Sequence, residues 1–263
     1  MYETNFHKAA TAQEAAALLN RSEDGKILAG GQTLIPTMKQ RLADPTDVID
    51  VSAAADLRGI TIAGDQVTIG AMTTHAEVAG HAALAALCPS ICKLAANIGD
   101  PAVRHRGTIG GSLANNDPAA DYPAAALALN ARIHTTSREI AADDFFEGMF
   151  TTALEDDEII TAVSFTAPAN GGYGKFPNPA SRYAMAGVFV AKLADGSVRV
   201  AVTGAGEDGV HRHDGLEAAL SADWAASAVD GVEISLDGLL SDLHGNAAYR
   251  ANLIKVMAKR ALG

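Results

Sequence analysis

Two glycine-rich turns constrain the fold of this chain of 263 residues more than any other feature of its sequence. The first turn is Ala29-Gly30-Gly31-Gln32-Thr33-Leu34, and the second is Thr108-Ile109-Gly110-Gly111-Ser112-Leu113. In each turn, we expect a strand to end just before the two glycines and a helix to begin near the small hydroxyl residue that follows them. Glycine lets the backbone approach a ligand closely, and successive N–H groups at a helix start attract anions. The pair could hold one diphosphate, whereas each turn alone could equally be a tight structural turn.

Neither turn matches a common nucleotide-binding fingerprint. A dinucleotide-binding unit would have G-x-G-x-x-G, and a P-loop would have G-K-[ST] after its glycines. The formal net charge of −11, from 20 Lys and Arg against 31 Asp and Glu, disfavours nucleic acid as a partner. An anionic ligand would therefore be held by local backbone dipoles rather than by the overall charge.

The sequence also predicts the compartment. No apolar run reaches the roughly 18 residues that suggest a membrane span. The segment Met1-Tyr2-Glu3-Thr4-Asn5-Phe6 lacks the basic and then apolar pattern of a signal peptide. The two cysteines, Cys88 and Cys92, do not indicate a disulfide framework, and two thiols cannot complete an iron–sulfur cluster or a structural zinc site. We therefore expect a cytoplasmic protein.

Hydrophobic patterns divide the chain into three parts. A capping box, an Ala/Leu helix and two short strands predict a small α/β unit over residues 1–52. A hairpin across Gly64-Asp65, Ala-rich helices and further strands follow, including a short helix predicted over 143–150. The Gly- and Pro-rich stretch 166–180 is the best candidate for a linker. A hairpin and two helices are predicted after it.

Asp121 is the first candidate polar residue near the glycine turns. It lies ten residues after Gly111, within reach of a sugar or polyol hydroxyl if a ligand follows this loop. The alternative is an ordinary N-cap before Tyr122-Pro123, and residue reasoning alone favours that alternative.

Several cationic residues are ambiguous on sequence grounds. Lys175 lies between Gly174 and Phe176 in a predicted loop that could cover a ligand, or it could be an exposed linker lysine. The run Arg104-His105-Arg106 could face an anionic cofactor or a partner subunit, or be solvated. No H-E-x-x-H motif is present and no Ser/His/Asp order is compelling, so we predict no hydrolytic catalytic residue and no metal site in this chain.

Three segments together resemble the flavoprotein, or medium, subunit of molybdenum hydroxylases, most of all the aerobic carbon monoxide dehydrogenase type. Residues 29–36 are similar to the first FAD-binding motif of that family. Residues 106–114, followed by 117–121, are similar to the second. Residues 173–176 with 179–184 resemble the opening of its C-terminal domain. The likeness spans nearly the whole chain.

The resemblance implies an α+β fold with three parts. An FAD-binding domain of the PCMH, or vanillyl-alcohol-oxidase, type would consist of two α/β subdomains, residues 1–52 and 53–166. A small C-terminal α/β domain would cover residues 167–263.

The resemblance also implies the FAD-binding residues. The two glycine turns would surround the diphosphate, with hydroxyl groups as added donors, and Asp121 would meet ribityl or ribose hydroxyls. Ile98 would pack near the flavin ring, the backbone of Ile160 would approach the cofactor, and Lys175 and Tyr183 would lie near the isoalloxazine. The complete set is Ala29, Gly30, Gly31, Gln32, Thr33, Leu34, Ile98, Thr108, Gly110, Gly111, Ser112, Asp121, Ile160, Lys175 and Tyr183.

The implied function is electron transfer within a complex. A molybdopterin-containing large subunit would oxidise the substrate, and a small subunit with [2Fe–2S] clusters would pass electrons to the FAD of this chain. An external quinone, NAD or oxygen would accept them, and the assembly would be a dimer of heterotrimers. One alternative is a self-contained flavoenzyme similar to UDP-N-acetylenolpyruvoylglucosamine reductase. Another is a non-enzymatic scaffold that has lost FAD, against which the intact glycine motifs argue.

Overall fold

The N-terminal part of the chain is a small parallel sheet with two helices. A computed structural model describes residues 1–263. Three strands pair in the order β1-β3-β2, and Thr11 caps the first helix by accepting from the Glu14 N–H at 3.1 Å. The elements are β1 (Asn5–Lys8), α1 (Ala12–Leu19), β2 (Gly25–Leu28), α2 (Leu34–Lys39) and β3 (Asp47–Asp50). A 3₁₀ turn, Ala55–Leu57, leads to the next sheet.

A five-stranded antiparallel sheet follows, with the order β4-β5-β10-β6-β7. Its predicted hairpin turns at Gly64, whose φ is +65°. A separate two-stranded hairpin, β8 with β9, lies beside it. The strands are β4 (Ile60–Ala63), β5 (Gln66–Gly70), β6 (Arg132–Thr135), β7 (Glu139–Ala141), β8 (Phe146–Gly148), β9 (Thr151–Thr152) and β10 (Ile160–Thr166).

Seven short helices accompany this sheet. All seven residues of α8 are buried, which explains why its sequence, YPAAALA, carries no charge. A complete capping box opens α3, because Thr74 and Glu77 each bond the backbone of the other. The helices are α3 (His75–Gly80), α4 (Ala82–Leu87), α5 (Pro89–Ala96), α6 (Pro101–Arg104), α7 (Ile109–Asn115), α8 (Tyr122–Ala128) and α9 (Ala142–Phe145).

The C-terminal part is a four-stranded antiparallel sheet covered by helices. Its order is β11-β12-β13-β14, and a second apolar cluster that includes Val188, Leu253 and Met257 lies between the sheet and the last helix. The elements are β11 (Asn170–Pro177), β12 (Ala184–Lys192), β13 (Val198–Thr203), β14 (His211–Arg212), α10 (Asp214–Ala222) and α11 (Ala247–Leu262), with a 3₁₀ turn at Ala226–Val229.

Two local predictions were wrong. The predicted linker, 166–180, is largely strand β11, paired along its length with β12. Its glycines serve packing, because a Cβ at Gly172 would lie 1.7 Å from the carbonyl oxygen of Ala261 on α11. The predicted helix over 143–150 ends at Phe145, and the chain then turns into the β8–β9 hairpin.

The main apolar core contains residues of both the five-stranded sheet region and the C-terminal sheet. Leu94 of α5, Leu127 of α8 and Val163 of β10 belong to the same buried cluster as Phe189 and Ala201 of the C-terminal sheet. Residues on both sides of the predicted 166/167 boundary therefore contribute to one core. The three predicted domain ranges stay predictions. None of the helices is both long and apolar enough to span a membrane.

Candidate functional site

Both glycine turns line one cavity of about 620 Å³. That volume falls within the roughly 300–1,000 Å³ typical of small-molecule and cofactor sites. Every residue of the predicted FAD-binding set lines this cavity. The fold thus brings together residues from β2, α7, β10 and β11 that lie far apart in sequence. Whether each of them contacts a cofactor stays a prediction.

The two turns pack against each other, and glycine makes this possible. A Cβ at Gly30 would lie 2.1 Å from the Arg106 carbonyl oxygen, just before the second turn. A Cβ at Gly110 would lie 2.5 Å from the Cβ of Ala71. Gly31 has a φ of +71°, in the left-handed region that favours glycine. Gly111 has more room, since a Cβ there would come no closer than 3.0 Å to Thr108 Oγ1.

The backbone donors of the two turns are arranged differently. In the first turn, none of the N–H groups of residues 29–34 donates a hydrogen bond within the protein. In the second turn, the N–H groups of residues 109–112 all have acceptors, such as Ala71 O for Gly110 and Thr108 Oγ1 for Gly111. Gly110 and Gly111 lie inside the first turn of α7 rather than ahead of it.

Only the first turn is therefore a free anion-binding nest. The second turn offers side-chain hydroxyls instead. Ser112 makes no side-chain hydrogen bond within the protein, and neither does Thr33, which lines the same cavity. The Thr108 hydroxyl accepts from the Gly111 N–H at 3.2 Å and keeps its own proton to donate. Free amide and hydroxyl donors around one glycine-lined space fit a diphosphate.

Asp121 is buried at the cavity wall, where it occupies the N-cap position of α8 without acting as an ordinary N-cap. It is 4% exposed and makes no capping hydrogen bond to α8. Its Oδ1 accepts from the Tyr173 hydroxyl at 2.5 Å, and its Oδ2 accepts from Lys175 Nζ at 2.9 Å. Burial raises the pKa of Asp121, and the Lys175 charge and the Tyr173 hydrogen bond act in the opposite direction.

Lys175 lies on strand β11 rather than in a loop. Its side chain is only 5% exposed, and its ammonium also donates to the carbonyl oxygen of Asn97 at 3.1 Å. Lys175 is therefore neither part of a loop that covers a ligand nor an exposed linker lysine. A buried ammonium with a buried carboxylate partner lines the cavity.

The loop at Ile98 is held in place by arginine. Arg104 Nη1 donates to the carbonyl oxygens of Ile98 and Gly99 at 3.0 and 3.1 Å. Arg182, with a φ of +63°, donates to the same Gly99 oxygen at 3.4 Å. Tyr183 follows with its ring 45% exposed, and partial burial raises the pKa of its hydroxyl. These hydrogen bonds hold the Ile98–Gly99 segment of the cavity wall in place.

Several lining residues were missed by sequence reasoning. His75 lies at N1 of α3, its Nδ1 has no partner, and burial together with the charge of Arg104 lowers its pKa to about 4. Burial alone would raise the pKa of Glu158, but hydrogen bonds from Arg138, Thr135 and the backbone outweigh it and lower the pKa. The capping box at Thr74 could have placed His75, whereas no local pattern distinguishes Glu158 from its acidic neighbours.

The cavity wall combines many donors with little acid–base chemistry. No three His, Cys, Asp or Glu side chains lie close enough to share a metal ion. The two cysteines are free and buried. The geometry fits the binding of an anionic ligand, because free donors and a buried charge pair line the same cavity.

Comparison with known proteins gives a consistent result. Residues 2–168 match the family model described as the FAD binding domain in molybdopterin dehydrogenase. The nicotine 6-hydroxylase medium subunit of Paenarthrobacter nicotinovorans is 38% identical, covering 96% of this chain and 94% of that protein. The carbon monoxide dehydrogenase medium chain of Hydrogenophaga pseudoflava is 34% identical, covering 98% and 95%.

Solved structures agree with the sequence relatives. A carbon monoxide dehydrogenase from Hydrogenophaga pseudoflava that lacks the Mo-pyranopterin moiety matches with a TM-score of 0.86 and 34% identity, over 99% of this chain and 96% of that one. Quinoline 2-oxidoreductase from Pseudomonas putida 86 matches with a TM-score of 0.86 and 28% identity, over 99% and 95%. The names of these relatives refer to different substrates, so the comparisons do not single out the carbon monoxide dehydrogenase type that the sequence analysis predicted.

Proposed function

The chain belongs to the family of FAD-binding medium subunits of molybdenum hydroxylases, and we propose that it relays electrons through FAD from a partner's [2Fe–2S] clusters to an external acceptor. It is an oxidoreductase subunit, as its relatives are by name. Bound FAD would supply the electron chemistry, since flavins accept and release electrons singly or in pairs. This chain would supply binding, orientation and electrostatics.

The free donors of the first glycine turn carry this proposal. Successive N–H groups without protein acceptors cost free energy unless a ligand or water meets them. We assign residues 29–34 to the FAD diphosphate, with the hydroxyls of Thr33, Thr108 and Ser112 as further donors. Gly30, Gly31 and Gly110 allow the close backbone packing that brings the two turns to the same cavity.

The remaining predicted residues are assigned along the same cofactor. Each Asp121 oxygen retains a lone pair beyond its present hydrogen bond and would accept from a ribityl or ribose hydroxyl. Lys175 would place its ammonium near the isoalloxazine. Ile98 and Tyr183 would lie near the ring, and the backbone of Ile160 would approach the cofactor.

Partners and substrate follow from the relatives rather than from this chain. The proposed complex contains a molybdopterin large subunit and a [2Fe–2S] small subunit, as a dimer of heterotrimers. Substrate oxidation would occur in the large subunit, and the carbon monoxide type is one of several possibilities. The acceptor would be a quinone, NAD or oxygen. The cytoplasmic location and the three domain ranges belong to the same proposal.

The substitution Gly111→Asp tests the site. It puts a side chain and a negative charge where the diphosphate is assigned, so we expect FAD content to fall at least tenfold while the fold is retained. Flavin absorbance per protein chain measures this. Gly80→Asp is the matched control, because a Cβ at Gly80 meets no atom within 4 Å. Unchanged FAD content in Gly111→Asp would contradict the site. FAD-loaded chain that oxidises a substrate without partners would favour the self-contained flavoenzyme.

A further inference from the structure

Two side chains of strand β11 hold the Asp121 carboxylate from one side. Tyr173 and Lys175 are two residues apart, so they point to the same face of the strand. The Tyr173 hydroxyl donates to Oδ1 at 2.5 Å and the Lys175 ammonium to Oδ2 at 2.9 Å. The C-terminal sheet thereby contacts the loop that precedes α8.

Tyr173 does not line the cavity, whereas Asp121 and Lys175 do. Its ring packs near Phe189, with the ring centroids 6.1 Å apart. Its hydroxyl lies over Gly187, which pairs with Lys175 across β11 and β12. A Cβ at Gly187 would lie 2.5 Å from the Tyr173 oxygen. The absent side chain at 187 leaves room for this hydroxyl to reach Asp121.

The charge of Asp121 depends on these two donors. Burial penalises its ionised form, and nearby Asp117 acts in the same direction. Hydrogen bonds to a carboxylate favour the ionised form. The other titratable neighbours, Tyr122 and Tyr183, have raised pKa values and stay neutral at ordinary pH. Tyr173 and Lys175 therefore oppose protonation of this carboxyl.

We propose that Tyr173 is a positioning residue whose hydroxyl keeps Asp121 ionised and paired with Lys175, and thereby sets the net charge beside the flavin. The inference rests on the proposed function, because it takes FAD as the occupant of the cavity. With Asp121 ionised, the pair is neutral. With Asp121 protonated, the Lys175 charge is uncompensated, and adding an electron to a nearby flavin becomes more favourable.

The test is the reduction potential of bound FAD as a function of pH. Potentials are measured on FAD-saturated protein from about pH 5 to about pH 9, because burial raises the pKa of Asp121. We expect Tyr173→Phe to have a higher potential than the unmodified protein, by a difference that grows as the pH falls. At low pH it should approach the potential of Asp121→Asn, in which the carboxylate is absent at every pH.

Tyr249→Phe is the matched control. Tyr249 is 41% exposed in the same C-terminal part, and its ring edge packs on Phe176. The reduction potential of FAD bound to Tyr249→Phe should equal that of the unmodified protein at every pH. Gly187→Ala is a second variant, because its methyl group would displace the Tyr173 hydroxyl without removing it. It should show the same pH-dependent rise, and it carries the test if Tyr173→Phe does not fold.

Two results would overturn the inference. One is a potential of FAD-loaded Tyr173→Phe that equals that of the unmodified protein across the pH range. The other is a difference that is the same at every pH, which would indicate a structural effect without titration of Asp121. Failure of the proposed function looks different, because the unmodified chain would then hold no FAD in this cavity.

Discussion

Individual residues in this protein take their roles from surroundings that the local sequence does not reveal. Asp121 has the position of a helix N-cap, yet its carboxylate bonds to two side chains of a distant strand. The Gly110 and Gly111 amides have the pattern of an anion nest, yet protein acceptors occupy them. Residue types were predictable from the motifs. The Gly111 acceptor is the nearby Thr108 hydroxyl, whereas the Gly110 acceptor, the carbonyl oxygen of Ala71, lies more than 30 residues away.

His75 yields a pH prediction. Its ordinary pKa of 6.5 is lowered to about 4, first by burial and then by the charge of Arg104. The unfolded chain therefore binds more protons than the folded one between these values. The contribution of His75 to the free energy of unfolding is fully present above about pH 6.5. It is lost as the pH falls towards 4, and the total loss is about 3 kcal/mol.

Urea unfolding at pH 7 and at about pH 4.5 measures this effect. The unmodified protein should lose more free energy of unfolding between the two pH values than His75→Gln does, because the variant lacks the titrating imidazole. His244→Gln, a change at an exposed histidine, is the control and should retain the full pH dependence. Equal losses in the unmodified protein and His75→Gln would show that His75 is not a buried neutral histidine.

At the scale of elements, the contact between β11 and α11 gives a second prediction. A Cβ would lie 1.7 Å from Ala261 O at Gly172 and 2.2 Å from Met257 O at Gly174. Because both carbonyl oxygens belong to the helix backbone, the clash with an added Cβ can be relieved only if the strand and the helix move apart. We expect Gly172→Ala and Gly174→Ala each to lower the free energy of unfolding by about 1–3 kcal/mol or more.

Thermal unfolding checks this prediction, with Gly80→Ala as the control. Gly80 ends helix α3 in open space, so alanine there should be neutral or stabilising by up to about 1 kcal/mol. A Gly172→Ala protein as stable as the unmodified chain would mean that the strand and helix can move apart at little cost. The same contact explains why a linker was predicted at 166–180. Glycine indicates flexibility in a local pattern, but here it permits close backbone packing.

At the scale of the whole molecule, one core joins the two sides of the predicted boundary at 166/167. Phe189, Ala191 and Ala201 of the C-terminal sheet belong to the buried cluster that contains helix α8. The side chain of Arg199 extends this contact, since its Nε donates to the carbonyl oxygen of Leu127 at 2.8 Å and its guanidinium pairs with Asp143. Cofactor residues also come from both sides, with Asp121 on one and Lys175 on the other.

We therefore expect residues 1–166 to be unstable as a separate chain. Removal of the C-terminal part would expose the apolar face of α8 to water and leave Asp121 without either of its donors. Thermal unfolding of this fragment should lack the cooperative transition of the full chain. A fragment that unfolds cooperatively at the midpoint of the full chain would show that the C-terminal part is an independent domain.

The sequence by itself determined the glycine turns, most strand and helix positions, and the family to which the chain belongs. Those features depend on local periodicity, capping residues and backbone freedom, which short stretches encode. Only the tertiary structure decided that the first turn keeps its amides free while the carbonyl oxygens of Thr73 and Ala71 occupy those of Ile109 and Gly110. Only it decided that Tyr173, Asp121 and Lys175 form one buried cluster. Hydrogen-bond satisfaction and burial arise between segments distant in sequence. The two glycine turns could thus be recognised locally, but the unequal parts they play depend on what packs against each.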